Sequence, residues 1–259
     1  MSARFFSGNW KESGWASRLC LYASLVLCLG LTGCATGPNA NPADPLEPFN
    51  RSMYKFNDTV DRAVLKPVAT VYRDVTPKLV RQGIGNFFGN LEDAWSFVNN
   101  VLQLKAEAAA SSFMRVSFNT IFGFGGILDV ATELRLERFP EDFGQTLGHW
   151  GVGAGPYVVL PLLGPSTLRD TVALPVDFKG DAVAQVNDIP VRNTLLVTRV
   201  VDKRAGFLNA ESVIEEGALD KYSFIRDAFL QRRRNAVYDG NPPDEEAPEE
   251  AESVDAPAK

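Results

Sequence analysis

Apolar residues return at three- and four-residue steps through much of the first half of this chain. Leu46, Phe49, Met53, Phe56, Val60 and Val64 form one such stripe, the spacing of an amphipathic helix. Lys66-Pro67 is expected to end it, because proline has no N–H to give the helical ladder. A second periodic segment runs from about Pro77 to Leu104, through Val80, Ile84, Phe87, Phe88, Leu91, Trp95, Val98 and Leu102. Pro77 suits its first turn, whereas Gly83, Gly85 and Gly89 predict a weakened, bent helix. An alanine-rich third segment covers about Lys105–Phe122 and stops at Gly123-Phe124-Gly125-Gly126. Helical periodicity returns at about Val191–Val201 and again at Leu219–Tyr238, where Leu219, Tyr222, Ile225, Arg226, Phe229 and Arg233 share a side.

Between these stretches, from Gly123 to Asp170, the texture changes. Glycine or proline appears every few residues, and Pro156 and Pro161 leave only Tyr157–Leu160 uninterrupted. Long irregular segments inside compact domains are usually functional or disordered. This one is too apolar for a solvated linker, so it must pack on core, partner or lipid. No strand-like alternation exceeds a few residues and no internal repeat is present. The expected fold is all-α with a Gly/Pro-rich apolar insertion.

A different pattern occupies the N-terminus. The 13 residues Leu19–Leu31 are almost wholly apolar, Arg4, Lys11 and Arg18 precede them, and Leu31-Thr32-Gly33-Cys34 follows. That is the layout of a secretory signal, and the run is too short for a comfortable span, which takes about 20 residues. The apolar-small-Gly-Cys ending resembles the lipobox of bacterial lipoproteins, which makes Cys34 the expected acylated N-terminus. Two or more acyl chains hold a protein stably on a bilayer. Position 35 is Ala rather than Asp, which resembles the outer-membrane pattern. The expected organisation is therefore a signal over 1–33, a spacer over 34–43, a helical domain over 44–238 and an acidic tail over 239–259.

Charge sharpens this division. The net charge of −6 is misleading, since residues 239–259 alone hold eight acidic groups and one basic. With the signal's +2 removed as well, residues 34–238 carry a formal −1. A nearly neutral body without a basic stripe argues against nucleic acid. The Pro- and Glu-rich tail has almost nothing to bury and is expected to be disordered. Cys20 and Cys28 leave with the signal, so neither a disulfide framework nor a thiolate metal site is available to residues 34–259.

Candidate chemistry is sparse. His149 is the only histidine, so no paired-histidine metal site exists. Gly164-Pro165-Ser166 lacks the second glycine of a nucleophile elbow. Glu141-Asp142 and Glu215-Glu216 are adjacent carboxylates, which point apart on a helix. The Gly123–Gly126 and Gly148–Gly155 runs lack the Lys-Ser/Thr ending of a phosphate loop. No catalytic residue, metal site or cofactor is expected, and an enzyme is the weakest reading.

Several blocks nevertheless carry a specific likeness. They are Asp44-Pro45-Leu46-Glu47-Pro48-Phe49-Asn50-Arg51, then Asn119-Thr120-Ile121-Phe122-Gly123-Phe124-Gly125-Gly126-Ile127-Leu128-Asp129, and above all Glu141–Gly153 continuing through Gly155-Pro156-Tyr157 to Leu168-Arg169-Asp170. Tyr222, Arg226-Asp227-Ala228 and Gln231-Arg232-Arg233 extend it, with Phe229 where tyrosine is expected. Across about Asp44–Arg233 the chain resembles the MlaA/VacJ lipoproteins, weakly over 171–218. The resemblance implies a helical ring lying in the outer membrane, a central amphipathic channel and a mobile hairpin beside it. It implies removal of mislocalised phospholipid from the outer leaflet and delivery to a soluble periplasmic carrier. That carrier feeds an inner-membrane ABC-type complex, and trimeric porins hold the lipoprotein in place.

Glycines permit backbone motion that a gate requires. Gly123, Gly125, Gly126, Gly144, Gly148, Gly151, Gly153 and Gly155 are accordingly the expected hinge or close-packing positions. Phe139, Phe143, Trp150 and Tyr157 are the expected channel-lining or membrane-facing aromatics. The competing class is a scaffolding lipoprotein that braces porins without moving lipid.

Overall fold

The computed structural model describes residues 44–217 and 219–243. The signal, Cys34, the spacer 34–43 and the tail beyond residue 243 lie outside the described residues. The chain begins with helix α1 (Glu47–Val60), with Pro48 in its first turn. A π-helical turn over Asp61–Leu65 follows, and helix α2 (Lys66–Val75) continues without a break. Lys66-Pro67 therefore does not end the helix, contrary to expectation. The π turn shifts the ladder so that Lys66 N–H reaches Asp61 C=O, and Pro67 falls in the opening turn of α2, where no N–H is required of it.

Helix α3 (Lys78–Leu102) packs antiparallel to α4 (Ala106–Ile121), its neighbour in sequence. The three glycines of α3 do not interrupt it. A side chain at Gly83 would press on Ile127 at 3.0 Å, and one at Gly89 would meet the Arg138 guanidinium at 3.1 Å. They serve close approach, which offsets their conformational cost.

Short helices α5 (Val130–Glu133) and α6 (Phe143–His149) begin at Asp129 and Asp142. Each N-cap carboxylate accepts a backbone N–H three residues on. A β-hairpin pairs β1 (Tyr157–Leu160) with β2 (Gly164–Thr167), in register Tyr157 to Thr167 and Leu160 to Gly164. The Gly/Pro-rich insertion thus contains ordered elements, each too short to show periodicity. Helices α7 (Leu168–Gly180), α8 (Ile189–Gly217) and α9 (Lys221–Val237) complete the chain.

Helix α8 runs well beyond the expected Val191–Val201. The charges that mask its second half in the sequence are its tertiary contacts. Arg204 makes a two-pronged pair with Asp61 at 2.7 Å, Asp202 accepts from the Tyr72 hydroxyl at 2.8 Å, and Lys203 pairs with Glu92. Helix α8 consequently packs on both α2 and α3, closing a helical ring, while α6 joins α3, α7 and α9.

The ring is polar inside and apolar outside. Helix α3 buries Asn90, Asp93, Ser96, Asn99 and Asn100, and α4 buries Ser111, Ser112, Arg115 and Asn119. Phe49, Phe56, Val64, Val68, Val71 and Val75 of α1, the π turn and α2 are exposed. Arg115 shows how the interior is satisfied: it pairs with Asp93 at 3.1 Å and Asp129 at 3.1 Å and donates to Leu136 C=O at 2.8 Å. A small apolar core remains where Tyr157, Val159 and Tyr222 meet Met53, Tyr54, Phe229 and Leu230.

Two asparagines one heptad apart fasten the hairpin to α1. Asn50 donates to Tyr157 C=O at 2.9 Å and accepts from Val159 N–H at 2.8 Å. Asn57 donates to Leu160 C=O at 2.9 Å and accepts from Leu162 N–H at 2.8 Å. Each side-chain amide does what one residue of a neighbouring strand would do.

Candidate functional site

A cavity of about 640 Å³ opens within the ring, between α3, the segment entering α6, the hairpin tip, α7 and α8. Its lining mixes apolar side chains, Leu91, Trp95, Leu162, Leu163, Leu174, Phe178 and Val200, with charged ones, Glu92, Glu141, Asp142, Asp177, Asp181, Arg199 and Lys203. Such a space offers an amphiphile both charged groups and apolar surface.

Each charged group has a cause for its position. Arg199 makes a two-pronged pair with Asp181 at 3.0 and 2.6 Å, fixing the start of the α7–α8 connection to α8. Asp142 lies where α6 starts, and Arg233 of α9 grips both of its oxygens at 2.6 Å while donating to Asp170 of α7 at 2.8 Å. Burial acts to raise the Asp142 carboxyl, but the Arg233 guanidinium and the Gln145 N–H outweigh it and hold the carboxyl below its ordinary value. Glu141 is pushed up by burial despite Gln103 and Lys105, which donate to it at 2.9 and 3.0 Å. Asp177 is pushed up by burial despite two donors on one oxygen, the Phe143 N–H and the Trp95 indole N–H, both at 2.8 Å.

The hairpin tip is the apolar lip of this cavity. Leu162 takes a left-handed backbone, φ 62°, and Leu162 and Leu163 are exposed. A bulky residue in that region is strained, and the Asn57 bond to Leu162 N–H helps to hold it there.

The residues singled out from sequence do not gather at this cavity. Gly123, Gly125 and Gly126 form the turn after α4. A side chain at Gly123 would lie 2.2 Å from Leu128 C=O, and Gly126, at φ +94°, abuts Asn90. Gly144 and Gly148 lie inside α6, where a side chain would collide with Arg233 and Asp170, or with Arg169 and Val237. Gly148, Gly151 and Gly153 line a second cavity of about 340 Å³ with Arg169, Arg233 and Tyr238. Gly155 is left-handed and touches Leu168. Phe139 and Phe143 are half-buried, and Phe143 meets the exposed Trp150 edge-on at 6.3 Å. Tyr157 departs from its expected place on a channel or membrane-facing surface. It is 1% exposed, the centre of the apolar core, because β1 turns it toward Tyr222 and Phe229.

Conversely, Asp177, Phe178, Asp181, Arg199 and Lys203 line the cavity without having been singled out. They fall in the weakly matching stretch, and Pro175 inside α7 hides the periodicity that would place Asp177 and Phe178 on a helix. The reciprocal charges at Glu92 and Lys203 are the only legible signal, and their pairing needs the fold.

An apolar exterior, a polar interior and an amphipathic cavity define a helical ring seated in a membrane. Among the described residues no helix is long and apolar enough to cross one. The chain belongs to the MlaA family: the profile described as "MlaA lipoprotein" matches residues 42–236. It is 38% identical over 216 residues to each "Intermembrane phospholipid transport system lipoprotein MlaA" of Shigella flexneri and of Escherichia coli strain K12, covering 80% of this chain and 85% of theirs. The protein of that name from Haemophilus influenzae is 33% identical over 237 residues, with 85% and 91% coverage. A solved structure described as "Structural basis for maintenance of bacterial outer membrane lipid asymmetry" superposes with TM-score 0.67 at 37% identity, covering 75% of this chain and 98% of that one.

Proposed function

We propose that this protein removes mislocalised phospholipid from the outer leaflet of the outer membrane and so maintains lipid asymmetry. The observation that carries the reading is the amphipathic cavity inside an inside-out helical ring, in a member of a family whose relatives are named for intermembrane phospholipid transport. The apolar exterior seats the ring among acyl chains, and the charged wall gives a head group a path that hydrocarbon alone would forbid. Cys34 carries the acyl anchor that holds the ring at the periplasmic side of the outer membrane. A trimeric porin steadies the ring there. A periplasmic phospholipid carrier accepts the lipid and passes it to an inner-membrane ABC-type complex.

The protein moves lipid rather than hydrolysing it. In support, Ser166 is buried, and its hydroxyl is engaged by Thr171 at 3.0 Å and the Thr167 C=O at 3.2 Å. The test is outer-leaflet phospholipid in cells lacking the protein, with and without the intact gene restored. A rise that the gene reverses, without accumulation of lysophospholipid or free fatty acid, is the expected result. No rise in a strain without redundant pathways would overturn the reading in favour of a porin-bracing scaffold. A Cys34→Ala form that still fractionates with the outer membrane and restores asymmetry would remove the anchor from the mechanism.

A further inference from the structure

The charged wall of the cavity has one carboxylate left over. Glu92 pairs with Lys203, Asp181 with Arg199, Glu141 with Lys105 and Asp142 with Arg233. Asp177 pairs with no cation among the described residues. Both of its hydrogen bonds, from Trp95 and Phe143, end on Oδ1, and Oδ2 accepts none. The group is nevertheless fixed, since the two donors come from different elements.

Aromatic surface adjoins it. Trp95 is held by its indole bond to Asp177, and its six-membered ring lies against Gly180, where a side chain would come within 2.3 Å of Cε3. Phe178, the next residue of α7, is half-exposed on the same cavity. A carboxylate oxygen that accepts no hydrogen bond, on a cavity that aromatic side chains also line, attracts an ammonium chiefly by charge. It repels a head group that is anionic overall.

We infer that Asp177, with Trp95 and Phe178, forms an ammonium-recognising subsite that makes the cavity prefer phospholipids with an amine head group, such as phosphatidylethanolamine, over phosphatidylglycerol. This inference rests on the transport reading above and names the class of lipid that the cavity favours. Lys203, the more exposed of the two wall cations, lines the same cavity and supplies positive charge for the phosphate.

The test uses the full-length acylated protein incubated with vesicles of equal parts phosphatidylethanolamine and phosphatidylglycerol. Protein is then recovered and its bound lipid quantified by mass spectrometry. One partly desolvated charge contact beside an aromatic ring corresponds to about two- to fivefold enrichment of the amine lipid. Asp177→Asn keeps an acceptor for the Trp95 and Phe143 donors and is expected to bring the ratio to about one. Asp177→Glu, which keeps the charge, is expected to retain the preference. An unenriched wild type, or an Asp177→Asn ratio equal to an enriched wild type, would overturn the inference while leaving transport intact. Recovery of neither lipid with the wild type would overturn the transport reading and this inference with it.

Discussion

Arg233 is the point where a single substitution should report most clearly on how the ring is held. Its guanidinium ties three helices: it spans both oxygens of Asp142, at the start of α6, and reaches Asp170 in α7 from its own place in α9. Arg233→Met keeps the aliphatic bulk and deletes the charge. Asp170 retains Arg169 at 3.0 Å, but Asp142 keeps only the Gln145 N–H among the contacts described above. Removing one partner of a buried pair costs about 3–5 kcal/mol. The Asp142 side chain is 37% exposed and that of Arg233 16%, so solvent screening places the expectation at the lower end, about 3 kcal/mol. For a domain of this size that is a fall of about 6–12 °C in melting temperature. The assay is thermal unfolding of the detergent-solubilised protein at pH 7, with Asp142→Asn and the double variant completing a mutant cycle. The pH dependence has a definite sign. Arg233 holds Asp142 below its ordinary value of 3.8, so the stabilisation is present above that value and is lost as pH falls through the depressed one. The gap between wild type and variant should therefore narrow in acid. A variant melting within about 2 °C of wild type at pH 7, or a mutant cycle without coupling, would refute the reasoning.

Three further outcomes follow from other contacts. Asn57→Ala should speed amide exchange at Leu162 by freeing its N–H, with a stability loss of about 1 kcal/mol. Unchanged exchange there would show that the tip is held by something else. Gly123→Ala should fail to accumulate, because its methyl group would lie 2.2 Å from Leu128 C=O. Gly125→Ala, which meets open space at φ +74°, should fold with a loss of about 1 kcal/mol, and equal yields of the two would contradict the packing argument. Burial lifts the Glu141 carboxyl above its ordinary 4.5, so wild type should gain stability relative to Glu141→Gln as pH falls through the raised value, a gain complete below 4.5. A stability difference that stays constant with pH over that range would contradict it.

The long helices were legible in the sequence because their apolar periodicity is strong, yet the stripe does not look one way: Phe49, Phe56 and Val64 are exposed, whereas Met53 packs on the apolar core and Leu91 and Trp95 line the cavity. Phe49 and Phe56 obey the amphipathic pattern while Asn50 and Asn57 make the tertiary contacts of α1. Pattern alone reports two faces and not which one meets solvent, lipid or protein. Pro67 misled for a related reason. Its effect depends on where the ladder register falls, and a π turn moves that register without an apolar signature. The block Glu141–Asp170 with Arg233 was legible by resemblance, and the fold explains part of its specificity: Asp142, Asp170 and Arg233 meet in one clamp, and Gly144 and Gly148 leave room for arginine side chains. Asp177 and Lys203 were not legible. Their meaning lies in a shared wall between α7 and α8, and neither residue carries a local pattern that points to it.

The amides of Asn50 and Asn57 have a consequence for self-association. An exposed strand edge is a template on which another chain can add a strand. Here the backbone groups of β1 that face away from β2 at Tyr157 and Val159, and those leading into the turn at Leu160 and Leu162, already have partners from α1. A lipid-seated protein is crowded against its neighbours in two dimensions, where encounters are frequent. Two asparagine side chains occupy the β1 edge of this hairpin, where such encounters could otherwise build sheet.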